Sequence, residues 1–222
     1  LSFSVSETTE GVHIHIIDAE LMGKGEKEKK DLYIEGVQNN GIINHYEYII
    51  NSEGTIEIRH VLKPEGKMPL WFPRIGLTLT VSDALDQVKW YGRGPQENYP
   101  DRKTGYPMGI YASTVQAMYE PYLMPQDYGL RTDVRWLQLT TDKGIGLQFK
   151  MNEWFNFNIY PYSTDNLTKA MYTYQLQKQK GMTLNLDYAT TGVGCTARGV
   201  FGAYKAMPQE YRRTISIRPM MK

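Results

Sequence analysis

An all-β, antiparallel sandwich with one short helix is the fold this sequence predicts. Three observations predict it. Apolar and polar residues alternate with period two along many short runs, the pattern of strands with one covered and one open face. Glycine-bearing turn signals separate those runs. Seventeen tyrosines and four tryptophans suit a pleated, half-buried surface. The 222 residues are 41% hydrophobic, enough for a core, and sandwiches of roughly 200–250 residues commonly fold as one unit. The expectation is therefore a single β-sandwich domain over residues 1–222.

Along the chain, Leu1-Ser2-Phe3-Ser4-Val5-Ser6 already reads as strand. Val12, Ile14 and Ile16 share one face, with His13 and His15 on the other. Ile56 and Ile58 alternate with Glu57 and Arg59, and Leu77, Leu79 and Val81 with Thr78 and Thr80. Leu184 and Leu186 alternate with Asn185 and Asp187, and Ile215 and Ile217 flank Ser216. Turns are expected at Glu10-Gly11, Asn39-Asn40-Gly41, Glu53-Gly54, Lys143-Gly144 and Lys180-Gly181. Leu167, Ala170, Met171 and Tyr174 fall at helical spacing behind Ser163, Thr164 and Asp165, which can cap a helix start. That helix is expected to use its apolar stripe for core packing. The stretch from Tyr91 to Gly129, with Pro95, Pro100, Pro107, Pro121 and Pro125, reads as a long ordered excursion over the sandwich surface.

Charge and composition exclude several classes. Net charge is +1 and the isoelectric point about 7.9, unlike the basic face of a nucleic-acid binder. The run from Lys24 to Asp31 mixes both signs and reads as a solvated hairpin tip. Cys195 is the lone cysteine, which excludes an internal disulfide and a cysteine-rich zinc site. No apolar run reaches the roughly 20 residues that span a bilayer, so neither nucleic acid nor membrane is an expected partner. His13 and His15 share a polar face and read as a solvated pair.

Two stretches concentrate charge in stiff backbone. Arg93, Glu97, Asp101 and Arg102 crowd into a turn-rich segment, where they can pair with one another or reach a ligand. Arg131, Asp133 and Arg135 alternate with Thr132, Val134 and Trp136, which predicts a charged strand face, either paired or a wall for sugar. Gly192-x-Gly194-x-x-Ala197 loosely matches a dinucleotide loop, but no helical pattern follows it.

Gly94-Pro95-Gln96-Glu97-Asn98-Tyr99-Pro100-Asp101-Arg102 and Arg131-Thr132-Asp133-Val134-Arg135-Trp136 resemble signature stretches of the C-terminal small-chain domain of family 2 β-galactosidases. The segment from Thr183 to Gly194 is similar to that domain's last such segment. The resemblance is firm from about Trp71 onward and weaker before it. An Arg-x-Pro-x-Asp-Asn-Asp segment usual in the family is missing, so the chain looks like most of that domain without its opening strands. The resemblance implies a galactose-mutarotase-like supersandwich beside a TIM barrel. That barrel would carry two catalytic glutamates and a magnesium site, so no catalytic residue, metal ligand or cofactor is assigned to this chain. The family's small domain can lend a loop with a sugar-stacking Trp to the active-site rim. Here Cys195, Thr196 and Gly199 depart from that loop's pattern, and Gly199 stands where Trp is expected. Arg93, Glu97, Asp101, Arg102 and Arg198 are the candidates for substrate contact. The expected role is a scaffolding, rim-forming domain of a β-galactosidase, with the parent's other domains and a carbohydrate as partners. The alternative is a stand-alone carbohydrate-binding module.

Overall fold

The computed structural model describes residues 2–21, 41–195 and 199–221. The mixed-charge run at 24–31, the Asn39-Asn40 turn and Arg198 lie outside the described residues. Among the described residues eleven strands form: β1 (Ser2–Thr8), β2 (Gly11–Leu21), β3 (Gly41–Ile50), β4 (Ile56–Glu65), β5 (Arg74–Val81), β6 (Gln87–Arg93), β7 (Met108–Thr114), β8 (Arg131–Thr140), β9 (Gly146–Tyr160), β10 (Met182–Thr190) and β11 (Tyr211–Met220). The main hydrogen-bonded path runs β1-β2-β3-β4-β11-β9-β8-β6-β7, and β10 joins β9 to β5 off that path. Every pairing among the described residues is antiparallel. No helix among them is long and apolar enough to cross a membrane.

The expected turns use glycine for its freedom at positive φ. Gly54, Gly144 and Gly181 take φ of 77°, 79° and 83°.

Strand β9 explains how one path becomes two layers. Its first half, Gly146 to Met151, pairs with β11, and its second half, Asn156 to Tyr160, pairs with β10. The branches diverge from this fork, and apolar side chains fill the space between them. Ile75 of β5 and Tyr188 of β10 pack with Ile58 and Leu62 of β4 and with Tyr211 and Ile215 of β11. A second cluster gathers Trp90, Val134, Leu137, Phe149, Phe157 and Leu184 from β6, β8, β9 and β10.

The expected open face of β10 is closed. Asn185 and Asp187 are each 1% exposed, because the strand is covered on both sides. Burying such groups is tolerable only when they are hydrogen-bonded. Asn185 donates to Asn158 Oδ1 at 2.8 Å and accepts from Thr78 at 2.8 Å, making a polar rung across three strands.

Two further expectations need correction. Helix α1 covers only Thr164–Lys169, with Ser163 Oγ capping the Asn166 amide. Ala170 has already turned to extended backbone, so Met171 and Tyr174 are 54% and 79% exposed and only Leu167 and Ala170 are buried. The segment from Tyr91 to Gly129 is not a surface excursion. It contains β7 and buries Asn98, Tyr99, Met118 and Tyr128.

Candidate functional site

The turn after β6 returns on itself through Tyr99 and Arg102, whose backbones bridge one another. This places the candidate residues in one belt of paired charges. Glu97 is 5% exposed and accepts four hydrogen bonds: from Arg102 at 2.7 Å, the Gly129 amide at 2.8 Å, the Tyr99 hydroxyl at 3.0 Å, and the Tyr122 hydroxyl. Burial alone would push its carboxyl up. The bonds from Tyr122, Gly129, Tyr99 and Arg102 together outweigh that and hold it below the usual carboxylate range.

Asp101 points the other way, toward the loop that follows β10. Its carboxylate accepts the Val193 amide at 3.0 Å and the Gly194 amide at 2.7 Å. Gly192 explains part of the Gly-x-Gly pattern, since a Cβ there would lie 2.3 Å from the Asp101 carboxyl carbon. Gly192→Ala is expected to displace Asp101 and cost about 1–3 kcal/mol as overpacking does. Thermal unfolding measures the cost. Faster hydrogen exchange at the Val193 and Gly194 amides would show that the tie has opened.

Arg93 binds Asp133 at 2.6 Å and the carbonyls of Lys103 and Tyr106 at 3.1 and 2.9 Å. Lys103 Nζ reaches the same carboxylate at 2.9 Å. Burial raises the Asp133 carboxyl, but Lys103 and Arg93 overcome it and hold the group down. Asp133 stands at φ 55°, where the β8–β9 register shifts on either side of Val134.

That irregularity corrects the expected charge ladder: Arg131, Asp133 and Arg135 do not form one charged face. Arg131 turns inward, 3% exposed, with its guanidinium 5.4 Å from the Trp90 ring and bonded to the Pro95 and Gly129 carbonyls. Burial pushes its pKa down to about 10. Arg135 instead lies 3.4 Å over the Trp154 ring.

Sequence reasoning missed the pair at the base of β5. Arg74 donates to Asp187 at 2.9 Å, to Asn158 at 3.3 Å and to Asp127 at 3.4 Å. Burial pushes Asp187 up to about 6 against the pull of Arg74. Arg74 and Arg102 both line a cleft of about 980 Å³, walled also by Trp71, Tyr122, Asp127 and Val193. A second hollow of about 560 Å³ holds Asp133, Trp154 and Tyr204.

The structure therefore brings Glu97 to Arg102, Arg93 to Asp133, and Asp101 to the 192–194 loop. Arg198 lies outside the described residues, and Gly199 is exposed, with none of the described residues within 4 Å of where a side chain would begin.

Fold and belt together define an all-antiparallel β-sandwich whose loops are tied by buried and half-buried carboxylates bonded to cations and backbone amides. The β-galactosidase small-chain profile matches residues 6–217, beginning well before Trp71. The chain belongs to the β-galactosidase small-chain family. A β-galactosidase of Priestia megaterium is 38% identical over 147 residues, which cover 66% of this chain and 14% of that protein. A β-galactosidase of Vibrio cholerae is 39% identical over 122 residues, 55% of this chain and 11% of that protein. The chain thus spans a small part of these relatives' length. A solved GalM/aldose epimerase homologue from C. elegans superposes with a TM-score of 0.45 and 12% identity, covering 98% of this chain and 68% of that one.

Proposed function

We propose that this chain scaffolds and rims the active site of a β-galactosidase that hydrolyses terminal β-galactosides with retention. In this reading the bond-breaking glutamates and the magnesium site belong to a barrel domain elsewhere in the parent polypeptide. The partners are the parent's other domains and a carbohydrate, with no role for nucleic acid or membrane.

The observation that carries the reading is the saturation of the belt's carboxylates. Retaining hydrolysis needs one carboxyl kept protonated and a second, about 5–5.5 Å away, free to attack the sugar. Glu97 and Asp133 are instead held ionised by their partners. Glu120 is pushed up by burial and by the charge of Glu97, as an acid should be. Glu97 cannot serve as its nucleophile, since it is 5% exposed and bonded to four donors.

Asp101 supports the rim role, because it fixes Val193 and Gly194, just after β10. Trp71 lines the same cleft as Val193 and offers the aromatic wall that Gly199 does not.

In a chromogenic β-galactoside assay the isolated chain is expected to give no turnover above buffer. Clear turnover would overturn the proposal. The binding-module reading draws on Tyr172 and Tyr174, exposed rings stacked 5.5 Å apart. Calorimetric titration with galactose, lactose and β-glucan oligosaccharides separates the two readings. Millimolar or tighter binding by the chain alone would favour the module.

A further inference from the structure

We infer that His13, His15 and Glu47 form a divalent transition-metal site of the two-imidazole, one-carboxylate type, suited to Zn²⁺. The site lies on the face of β3 opposite Tyr46, whose ring stacks on His60 at 4.1 Å while His60 meets the Tyr188 hydroxyl at 2.7 Å, and it does not depend on the proposed function.

Strand geometry assembles it. Residues two apart on a strand project from one face, so β2 presents both imidazoles together. The β2–β3 register sets Glu47 directly across from His15, at the short separation of cross-strand partners. One donor atom from each of the three lies within 4.8 Å of the others.

The contacts divide the labour of the Glu47 carboxylate. Oε1 lies 3.4 Å from His13 Nδ1 and 3.9 Å from His15 Nε2. Neighbouring ligands around a tetrahedral zinc are roughly 3.3 Å apart, so the His13–Glu47 pair already stands at that spacing, while His15, 3.9 Å from Oε1, and the two imidazoles, within 4.8 Å of one another, must close further by side-chain rotation. Oε2 is turned away and accepts from Arg59 at 3.1 Å, while Arg59 is itself held by Glu57 at 2.8 Å. A ligating carboxylate oriented by a hydrogen-bonded outer shell is the arrangement metal sites use. Arg59 therefore leaves Oε1 turned toward the imidazoles, where a hydrogen bond to His13 Nδ1 at 3.4 Å stands in the place an ion would take, and fixes its direction.

Access and coordination number also fit. The His15 side chain is 51% exposed and that of His13 is 12% exposed, so an ion can enter from solvent and keep water in its remaining position. Two imidazoles with a carboxylate suit zinc and its late first-row neighbours, whereas magnesium and calcium prefer all-oxygen sets.

The test is isothermal titration of zinc chloride into the metal-stripped 222-residue chain at neutral pH, beside His15→Ala, His13→Ala and Glu47→Gln. The expected result is saturable uptake of one zinc per chain. Each variant should weaken it by about tenfold or more, at least the loss typical of outer-shell changes. Circular dichroism checks the fold, and the exposed position of His15 keeps that variant informative if His13→Ala unfolds. Absence of one-to-one uptake by the unmodified chain would overturn the site. So would Glu47→Gln binding zinc as tightly as the parent, which would reduce it to two solvent imidazoles.

Discussion

Replacing Glu97 by alanine is expected to lower the unfolding free energy by about 3 kcal/mol, toward the low end for breaking a buried charge pair because Arg102 keeps contact with solvent. The change strands the Tyr99 and Tyr122 hydroxyls and the Gly129 amide as well as Arg102. Each buried donor left without a partner carries its own desolvation cost. Urea unfolding measures the loss, and a cost under about 1 kcal/mol, the scale of a surface pair, would contradict the belt's structural role. A pH signature accompanies it. The folded Glu97 carboxyl lies below its ordinary value, so the unfolded state takes up the proton first as acid is added. The stability it contributes is complete above about pH 4.3, the unperturbed value, and is lost as pH falls through the lower folded value. Glu97→Gln should therefore flatten the acid limb of a stability profile. Asp133, held down in the same way, leaves part of the slope in place.

Trp90→Ala is expected to cost about 4 kcal/mol, within the range for deleting a large buried aromatic. The indole is 1% exposed and packs against Tyr111 and Phe157 at ring separations of 5.5 and 5.9 Å. Its Nε1 donates to the Arg93 carbonyl at 3.0 Å, and the Arg131 guanidinium lies over its ring. The substitution thus opens a cavity in the largest core cluster and uncovers a buried cation. Guanidinium unfolding would show the loss, and Trp90→Phe should recover part of it by restoring ring volume without the N–H. A Trp90→Ala chain as stable as the parent would mean that this core is not the one that matters.

Alternation made much of the fold legible before any coordinates. Val12 to Ile16, Leu77 to Val81 and Ile215 to Ile217 are strands, and turn glycines fall where β3 meets β4, β8 meets β9, and β10 begins. What alternation cannot convey is whether a polar face meets water or another layer. Asn185 and Asp187 looked solvent-facing, yet β10 is covered on both sides, and their partners Thr78, Asn158 and Arg74 lie more than twenty residues away. Helical spacing misled at Met171 and Tyr174, because propensity does not reveal that Ala170 turns back to extended backbone. At the belt, the charges crowded into 93–102 pair with one another only at Glu97 and Arg102, while Arg93 reaches Asp133 on β8. The Asp101 tie to Val193 and Gly194 needed the fold, since ninety residues separate its ends. His13 and His15 were visible as a pair, but only the β2–β3 register supplies Glu47.

Asp133 leaves little room for substitution. Its backbone lies in a conformation that asparagine or glycine shares most readily, while its carboxylate accepts from both Arg93 and Lys103. Asparagine would keep the backbone and leave two cations facing one another. Glutamate would keep the charge but resist the backbone angle. Only aspartate meets both demands, so one residue governs how the end of β6 is fastened to the start of β8.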